Sequence, residues 1–283
     1  MGILTFDGKP VDCRTLIFPD TWESKSWIAP TLSLYGNDVW SDGTNIYYSR
    51  GDSNSQFVLD VSTSTWLMKE WNGLRSFNGR YIWTDGNNIY YSYDNEQYVL
   101  DVSTSTWSSK TWTGLTSFYG QNIWTDGTNI YYSNGGSTTQ YVLDVSTSTW
   151  SSKRWYGRTS FSGNYIWKDG TDIYFSSASA QYVLDKSTST WSAKTWNGLT
   201  SFNGDRIWTD GTDIYYSNAS AEQYVLDKST STWSAKTWYG LASIRGAYIW
   251  NIGYNTYYSY GDDQYKLLYV NGKTTFISYE GEL

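Results

Sequence analysis

The chain repeats one phrase, and that repetition limits its fold more than any other feature. Ile-Trp-x-Asp-Gly-x-x-Ile-Tyr-Tyr-Ser, or a close relative, places its tryptophan at Trp40, Trp83, Trp124, Trp167, Trp208 and Trp250, in steps of 43, 41, 43, 41 and 42 residues. A fixed period between about 20 and 50 residues marks a modular fold whose copies bury their faces on one another. A second phrase, Val-Leu-Asp-Val-Ser-Thr-Ser-Thr-Trp or a near copy, ends at Trp66, Trp107, Trp150, Trp191 and Trp233, and a degenerate version ends at Phe276. Five residues beyond each intact copy stands another tryptophan: Trp71, Trp112, Trp155, Trp196 and Trp238. The stretch from Thr21 through Trp22 to Trp27 copies that last piece alone.

Each copy predicts four short strands. Strand a ends in Ile-Trp, and the Asp-Gly after it is a two-residue hairpin signal, because such a turn needs positive φ. Strand b is Ile-Tyr-Tyr-Ser. A loop of variable length leads to strand c, Gln-Tyr-Val-Leu-Asp, whose side chains alternate between faces. The Ser-Thr-Ser-Thr stretch turns the chain through hydroxyl-to-backbone hydrogen bonds, and strand d carries the paired tryptophans. No copy holds two turns of helix-period pattern, which excludes helical solenoids. The chain has 18 tryptophans, three per copy. Burying each removes roughly 150–250 Å² from water, of order 4–6 kcal/mol as an upper bound. A lone four-stranded sheet cannot hide such faces on both sides, whereas radial stacking can. The expectation is one all-β domain over residues 1–283, a six-bladed β-propeller of four-stranded antiparallel blades, with seven blades as the alternative. Residues 1–27 form a closing segment and six repeats fill 28–283. Either the N-terminal copy of strand d or the region from Thr274 to Glu280 supplies the closing strand and removes an open sheet edge.

Leu143-Asp144-Val-Ser-Thr-Ser-Thr-Trp150 is similar to the kelch pattern Tyr-Asp-Pro-x-Thr-x-x-Trp, and the resemblance covers about 250 residues. It implies a β-propeller, and within that family mostly interaction modules, with a few oxidases and cyclases. The paired glycines of kelch repeats are absent at the end of strand b, where Tyr-Tyr-Ser stands instead, so the match is kelch-like.

In a four-stranded meander the b–c and d–a connections emerge at one end, and there the copies differ most. Loops carry recognition on a rigid scaffold, so this end is the expected binding face, with Arg50, Asp94 and Asp262 among its b–c loop residues. The segment after strand d is expected to bring aromatic and polar side chains to the same end: Trp71 with Asn72, Trp112 with Thr113, Trp155 with Tyr156, Trp196 with Asn197, and Trp238 with Tyr239. Flat aromatic faces beside amides and hydroxyls suit sugar rings, while core packing is the competing role for these tryptophans. The lysines Lys110, Lys153, Lys194 and Lys236 read as solvated strand positions. Asp126 to Asn129 and Asp169 to Asp172 read as tight turns, because they lack the oxygen series of a calcium loop.

Composition narrows the function. The chain has no histidine, so the commonest general base, serine-type triads and the usual metal ligand are missing. Its net charge is -7, which repels a nucleic-acid backbone. Cys13 is the single cysteine, so no intramolecular disulfide supports the fold. No run of about 18 apolar residues is long enough to span a bilayer, and the N-terminus lacks a secretory pattern. The expectation is a soluble module, cytoplasmic or virion-associated, without cofactor, metal or catalysis. It is expected to bind a protein partner through the b–c and d–a loops, in a setting such as a phage-like or microbial surface assembly. The alternative is a lectin-like propeller with several equivalent sugar sites.

Overall fold

The computed structural model describes residues 20–28, 33–51, 56–135, 137–218, 222–241, 243–252 and 255–268, and the strand backbones Thr5–Phe6, Lys9–Pro10, Asp12–Leu16 and Thr274–Ser278. Six four-stranded antiparallel sheets follow one another in the order a-b-c-d. Blade 1 runs from Val39–Ser41 to Thr65–Met68, blade 2 from Ile82–Thr84 to Thr106–Ser109, and blade 3 from Ile123–Thr125 to Thr149–Lys153. Blade 4 runs from Ile166–Asp169 to Thr190–Ala193 and blade 5 from Ile207–Thr209 to Thr232–Ala235. Blade 6 takes strands a to c from Ile249–Ile252, Asn255–Gly261 and Asp263–Leu268, and its strand d is Thr21–Ser24 from the N-terminal region. The chain is a six-bladed β-propeller. Among the described residues no helix is long and apolar enough to cross a membrane.

Of the two candidates for the closing strand, the N-terminal one pairs with blade 6. Trp22 faces Leu267 in the register that Trp107 keeps with Leu100. The other candidate, Thr274–Ser278, pairs with Asp12–Leu16 in a separate ribbon. The seam between blades 5 and 6 is built for an indole: Trp22 meets Trp208 and Trp238 edge-on, with centroids 6.1 and 6.0 Å away.

The tryptophans pack blade against blade. At the seam of blades 2 and 3, Trp83 and Tyr90 meet Trp112 and Phe118 of the connecting segment and Ile130, Tyr132, Leu143 and Trp150 of the next blade. Trp83 stacks on Tyr90 at 4.5 Å, and Trp112 meets Trp150 edge-on at 6.0 Å, the geometry that ring quadrupoles favour. A buried indole N–H costs free energy unless it finds an acceptor. Trp83 Nε1 donates to Ser92 Oγ at 2.9 Å, and the bond recurs in all six blades. This explains the serine that ends Ile-Tyr-Tyr-Ser.

The repeated lysines differ from the solvated positions expected of them. Lys110 reaches into the next blade, where Nζ donates to Ser148 Oγ at 2.7 Å and sits 4.7 Å from the Trp112 ring centroid. Lys153, Lys194 and Lys236 make the same bridge to Ser189, Ser231 and Asp20. Each covers the face of the tryptophan two residues on. Snorkelling explains the arrangement: the aliphatic stem lies along an indole while the ammonium finds an acceptor.

The Asp-Gly turns also differ from a two-residue hairpin. In blade 2, Thr84 pairs with Ile89, leaving residues 85–88 as a four-residue loop. In blade 4 the register leaves two residues, Gly170 and Thr171, between paired Asp169 and Asp172. The aspartate side chain organises the longer loop: Asp85 accepts from the backbone N–H groups of Asn87 and Asn88 and from the Tyr90 hydroxyl at 2.7–2.9 Å. Burial pushes the Asp85 carboxyl up, but these hydrogen bonds outweigh it and hold the group below its ordinary value of 3.8. Asp42 and Asp126 behave alike. A depressed carboxyl contributes stability above its unfolded pKa, and that stability is lost as pH falls through the folded one. The thermal midpoint should therefore hold down to about pH 4 and fall below it. These turns are well solvated, so each contributes at most about 1 kcal/mol. In a pH series of melts, Asp85→Asn should be less stable at pH 7 and show a shallower acid decline; an unchanged decline refutes the assignment.

Before each strand a stands a single 3-10 turn: Gly36–Asp38, Gly79–Tyr81, Gly120–Asn122, Gly163–Tyr165, Gly204–Arg206 and Gly246–Tyr248. Each touches the next, the last touches the first, and together they form an inner collar at the b–c and d–a end. The leading glycine is a requirement of close approach. A Cβ on Gly120 would overlap the Tyr81 carbonyl of the preceding turn.

Candidate functional site

Six near-identical blades present six equivalent sets of three side chains on that end. One member is the third residue of the 3-10 turn, one is the residue that follows the Ile-Tyr-Tyr-Ser serine, and one caps the next 3-10 turn. In blades 2 and 6 all three are tyrosine. Tyr81, Tyr93 and Tyr119 have ring centroids 4.8, 5.5 and 6.2 Å apart, and Tyr248, Tyr260 and Tyr35 lie at 4.9, 5.6 and 6.2 Å. Between them blade 1 carries Asp38, Arg50 and Asn78 instead. The remaining blades carry polar or mixed sets, such as Asn122, Asn134 and Ser162 in blade 3.

The substitution in blade 1 opens a groove of about 600 Å³ between the two tyrosine clusters. Tyr35 and Tyr248 line one wall, Tyr81 and Tyr93 the other, and Asn37, Asp38, Asn78, Ser76, Arg50, Arg80 and Glu96 supply polar groups. The site is positioned by short-range bonds. Asn78 Oδ1 accepts from the Arg80 N–H at 3.0 Å and sets the 3-10 turn, while Ser76 Oγ donates to the Gly51 carbonyl at 3.1 Å and ties the b–c loop to the d–a segment. Arg50 lies over the Tyr35 ring at 5.3 Å and Arg80 over Tyr81 at 5.1 Å, contacts that fix both guanidinium planes at the rim. Burial pushes the Tyr81 and Tyr91 hydroxyls above their usual range, so both stay protonated donors at neutral pH.

The residues expected at the site separate. Arg50 lines the groove. Asp94 sits one residue beyond Tyr93 and accepts from Ser117 Oγ at 2.6 Å, holding the loop that carries the second tyrosine wall. Asp262 is exposed in the b–c turn of blade 6, two residues from Tyr260. The tryptophans Trp71, Trp112, Trp155, Trp196 and Trp238 are 3–6 % exposed, packed into the seams. The residues beside them do not gather with the b–c loops, where sequence placed them. Asn72 donates its N–H to the Ser105 carbonyl and accepts from the Trp107 N–H. It therefore lies against the start of the neighbouring strand d, on the outer rim. Thr113, Tyr156, Asn197 and Tyr239 repeat the pairing. The physical reason is that each connection must cross from the outer strand of one blade to the inner strand of the next, and it covers its neighbour's outer edge on the way. Trp71 and Asn72 do line a smaller cleft of about 270 Å³ with Met68, Glu70 and Arg75.

Sequence reasoning placed the loop that begins at Tyr93 on the binding face but missed Tyr35, Tyr81, Tyr248, Asn78 and Arg80. The signal was present: Asp38, Tyr81, Asn122, Tyr165, Arg206 and Tyr248 occupy one position that changes from copy to copy between a glycine two residues before it and a tryptophan two residues after it, both kept in all six copies.

No family model and no curated protein matches the chain. Its fold is similar to two extracellular domains of proteins from B. thetaiotaomicron named as hybrid two-component systems. One, BT4673, shares 9 % identity at a TM-score of 0.52, over 86 % of this chain and 34 % of its own. The other, BT3049, shares 12 % identity at 0.50, over 81 % and 33 %. The chain thus spans about a third of the length of either, and the likeness is one of fold.

Proposed function

We propose that this propeller is a non-catalytic recognition module that takes one ligand per ring in the groove over blade 1. The observation that carries this reading is the break in sixfold pattern. The packing residues of the seams largely repeat from blade to blade, while the collar and the loops beside it vary, and over blade 1 they place a polar floor between two aromatic walls. Ligand sites are concave, with an apolar wall and a few placed polar groups, and occupy about 300–1,000 Å³. A single differentiated groove also favours one site over the ring of equivalent sites that a multivalent lectin would need.

Absence of catalysis is part of the same reading. The chain has no histidine, and among the described residues no three His, Cys, Asp or Glu side chains cluster as a metal site would require. Asp205, a carboxyl that burial pushes up, sits in blade 5 beside Arg206 and Arg245 and does not line the groove. The kelch-like reading of the repeat rests on the run from Leu143 to Trp150, whose two ends face each other across strands c and d. A rigid disc with one presenting face suits a microbial or phage-like surface assembly.

The test uses probes of both chemical classes, an oligosaccharide array and a phage-displayed peptide library, against the full chain. Arg50→Ala with Tyr93→Ala should weaken whatever binds by at least about tenfold, roughly 1.4 kcal/mol. Met68→Ser on the rim should leave it unchanged. Equal loss from the rim variant, or none from the groove variant, refutes the assignment.

A further inference from the structure

We infer that the occupant of the groove is a neutral oligosaccharide, a statement that rests on the recognition reading and adds the ligand's chemistry to it. The first argument is the character of the apolar surface. Among the described lining residues, every apolar one is a tyrosine apart from Phe77, which is 1 % exposed, and none is Leu, Ile, Val, Met or Trp. A pocket for a protein anchor residue gains its energy by desolvating a large apolar or aromatic side chain in a closely packed hole. Tyrosine faces with polar tips offer instead flat plates over which a pyranose can lay its C–H face while its hydroxyls remain in hydrogen-bond reach.

The second argument is charge. Arg50 and Arg80 are matched by Asp38 and Glu96, so the described lining residues carry no net formal charge. A phosphorylated or uronate ligand would bring a further anion into a site whose two described cations are already matched in number by carboxylates. A neutral polyol meets donors and acceptors in equal supply: Asn37, Asn78 and Ser76 offer both, the arginines donate and the carboxylates accept. The third argument is backbone. Peptide capture by strand addition needs a free strand edge, whereas this groove is bordered by 3-10 turns, loop residues and strand ends. Two aromatic walls on opposite sides of one floor further suit a chain of sugar rings that contacts one wall and then the other.

The experiment is a glycan array carrying neutral and uronate-containing oligosaccharides, followed by calorimetry of the full chain with the best neutral binder. The expected result is a stoichiometry of one per chain, with affinity lowered at least tenfold by Tyr81→Ala and by Tyr248→Ala, and unchanged by Met68→Ser. Tyr81→Phe and Tyr248→Phe should retain most of the affinity if stacking dominates, and circular dichroism melts separate lost binding from lost fold. Preference for uronates overturns neutrality. A blank across all neutral oligosaccharides overturns the inference whatever else binds. If the peptide library then yields ligands that require Tyr81, the groove stands as a recognition site with a protein occupant; if bound glycans ignore the groove substitutions, the recognition reading falls as well.

Discussion

Removing residues 1–28 should lower the thermal midpoint by more than about 10 °C and replace one cooperative transition with a broad one. Removing residues 1–19 keeps every blade strand and should leave the midpoint within a few degrees. The stretch from Asp20 to Ile28 performs several tasks at once. It is strand d of blade 6, and Trp22, 1 % exposed, fills the seam of blades 5 and 6. Trp27 then crosses to the next seam, where it lies 6.0, 5.7 and 5.3 Å from Trp66, Trp250 and Tyr257. Ile28 exchanges backbone bonds with Ser64 and Trp66 at the edge of blade 1, and Lys25 Nζ donates to Ser64 Oγ at 2.8 Å. Emptying one large aromatic site costs about 3–5 kcal/mol. That site, the half-buried Trp27 and an unpaired sheet edge together put the total beyond ordinary point-mutant effects. Calorimetry of both shortened chains decides it: a sharp transition near the full-length midpoint without residues 1–28 would mean that the ring closes by other means.

Sequence made the ring legible because its evidence is repeated six times. A tryptophan every 41 to 43 residues has to be buried, and a blade can bury it only on another blade. The same repetition hid the site. Recurrence drew attention to Trp112, Trp196 and their neighbours, which recur because every seam needs the same filling. The groove uses residues that break the pattern, and their meaning depends on adjacency around a circle: Tyr248 and Tyr81 share a groove because blades 6 and 2 flank blade 1, although the two are 167 residues apart in the chain. The lysine bridges were hidden for a related reason. Lys110 and Ser148 are 38 residues apart, and only the ring places one blade's last strand beside the next blade's turn.

Two glycines with similar backbones should respond very differently to the same change, and the contrast measures how tightly the seams close. Gly114 and Gly127 have φ of 87° and 93°, so alanine at either meets the left-handed penalty of about 1–2 kcal/mol. At Gly127, in the turn of blade 3, a Cβ finds open space, and Gly127→Ala should cost no more than that penalty. At Gly114 the Cβ would overlap the Trp150 carbonyl oxygen, far inside van der Waals contact. Relief requires the connecting segment to withdraw from blade 3. Withdrawal breaks the pair of bonds between Thr113 and residues Ser148 and Trp150 and draws Trp112 out of the core that it shares with Trp83 and Trp150. Gly114→Ala should therefore cost more than about 3 kcal/mol, combining strain with lost packing, or roughly 6–12 °C in a chain of this size. Binding should weaken with it, because the same segment leads to Tyr119, which supports Tyr81 and Tyr93 at the groove wall. Equal midpoints for the two variants would show that the seam has room to spare, and the argument that blade contact positions the groove would fail with it.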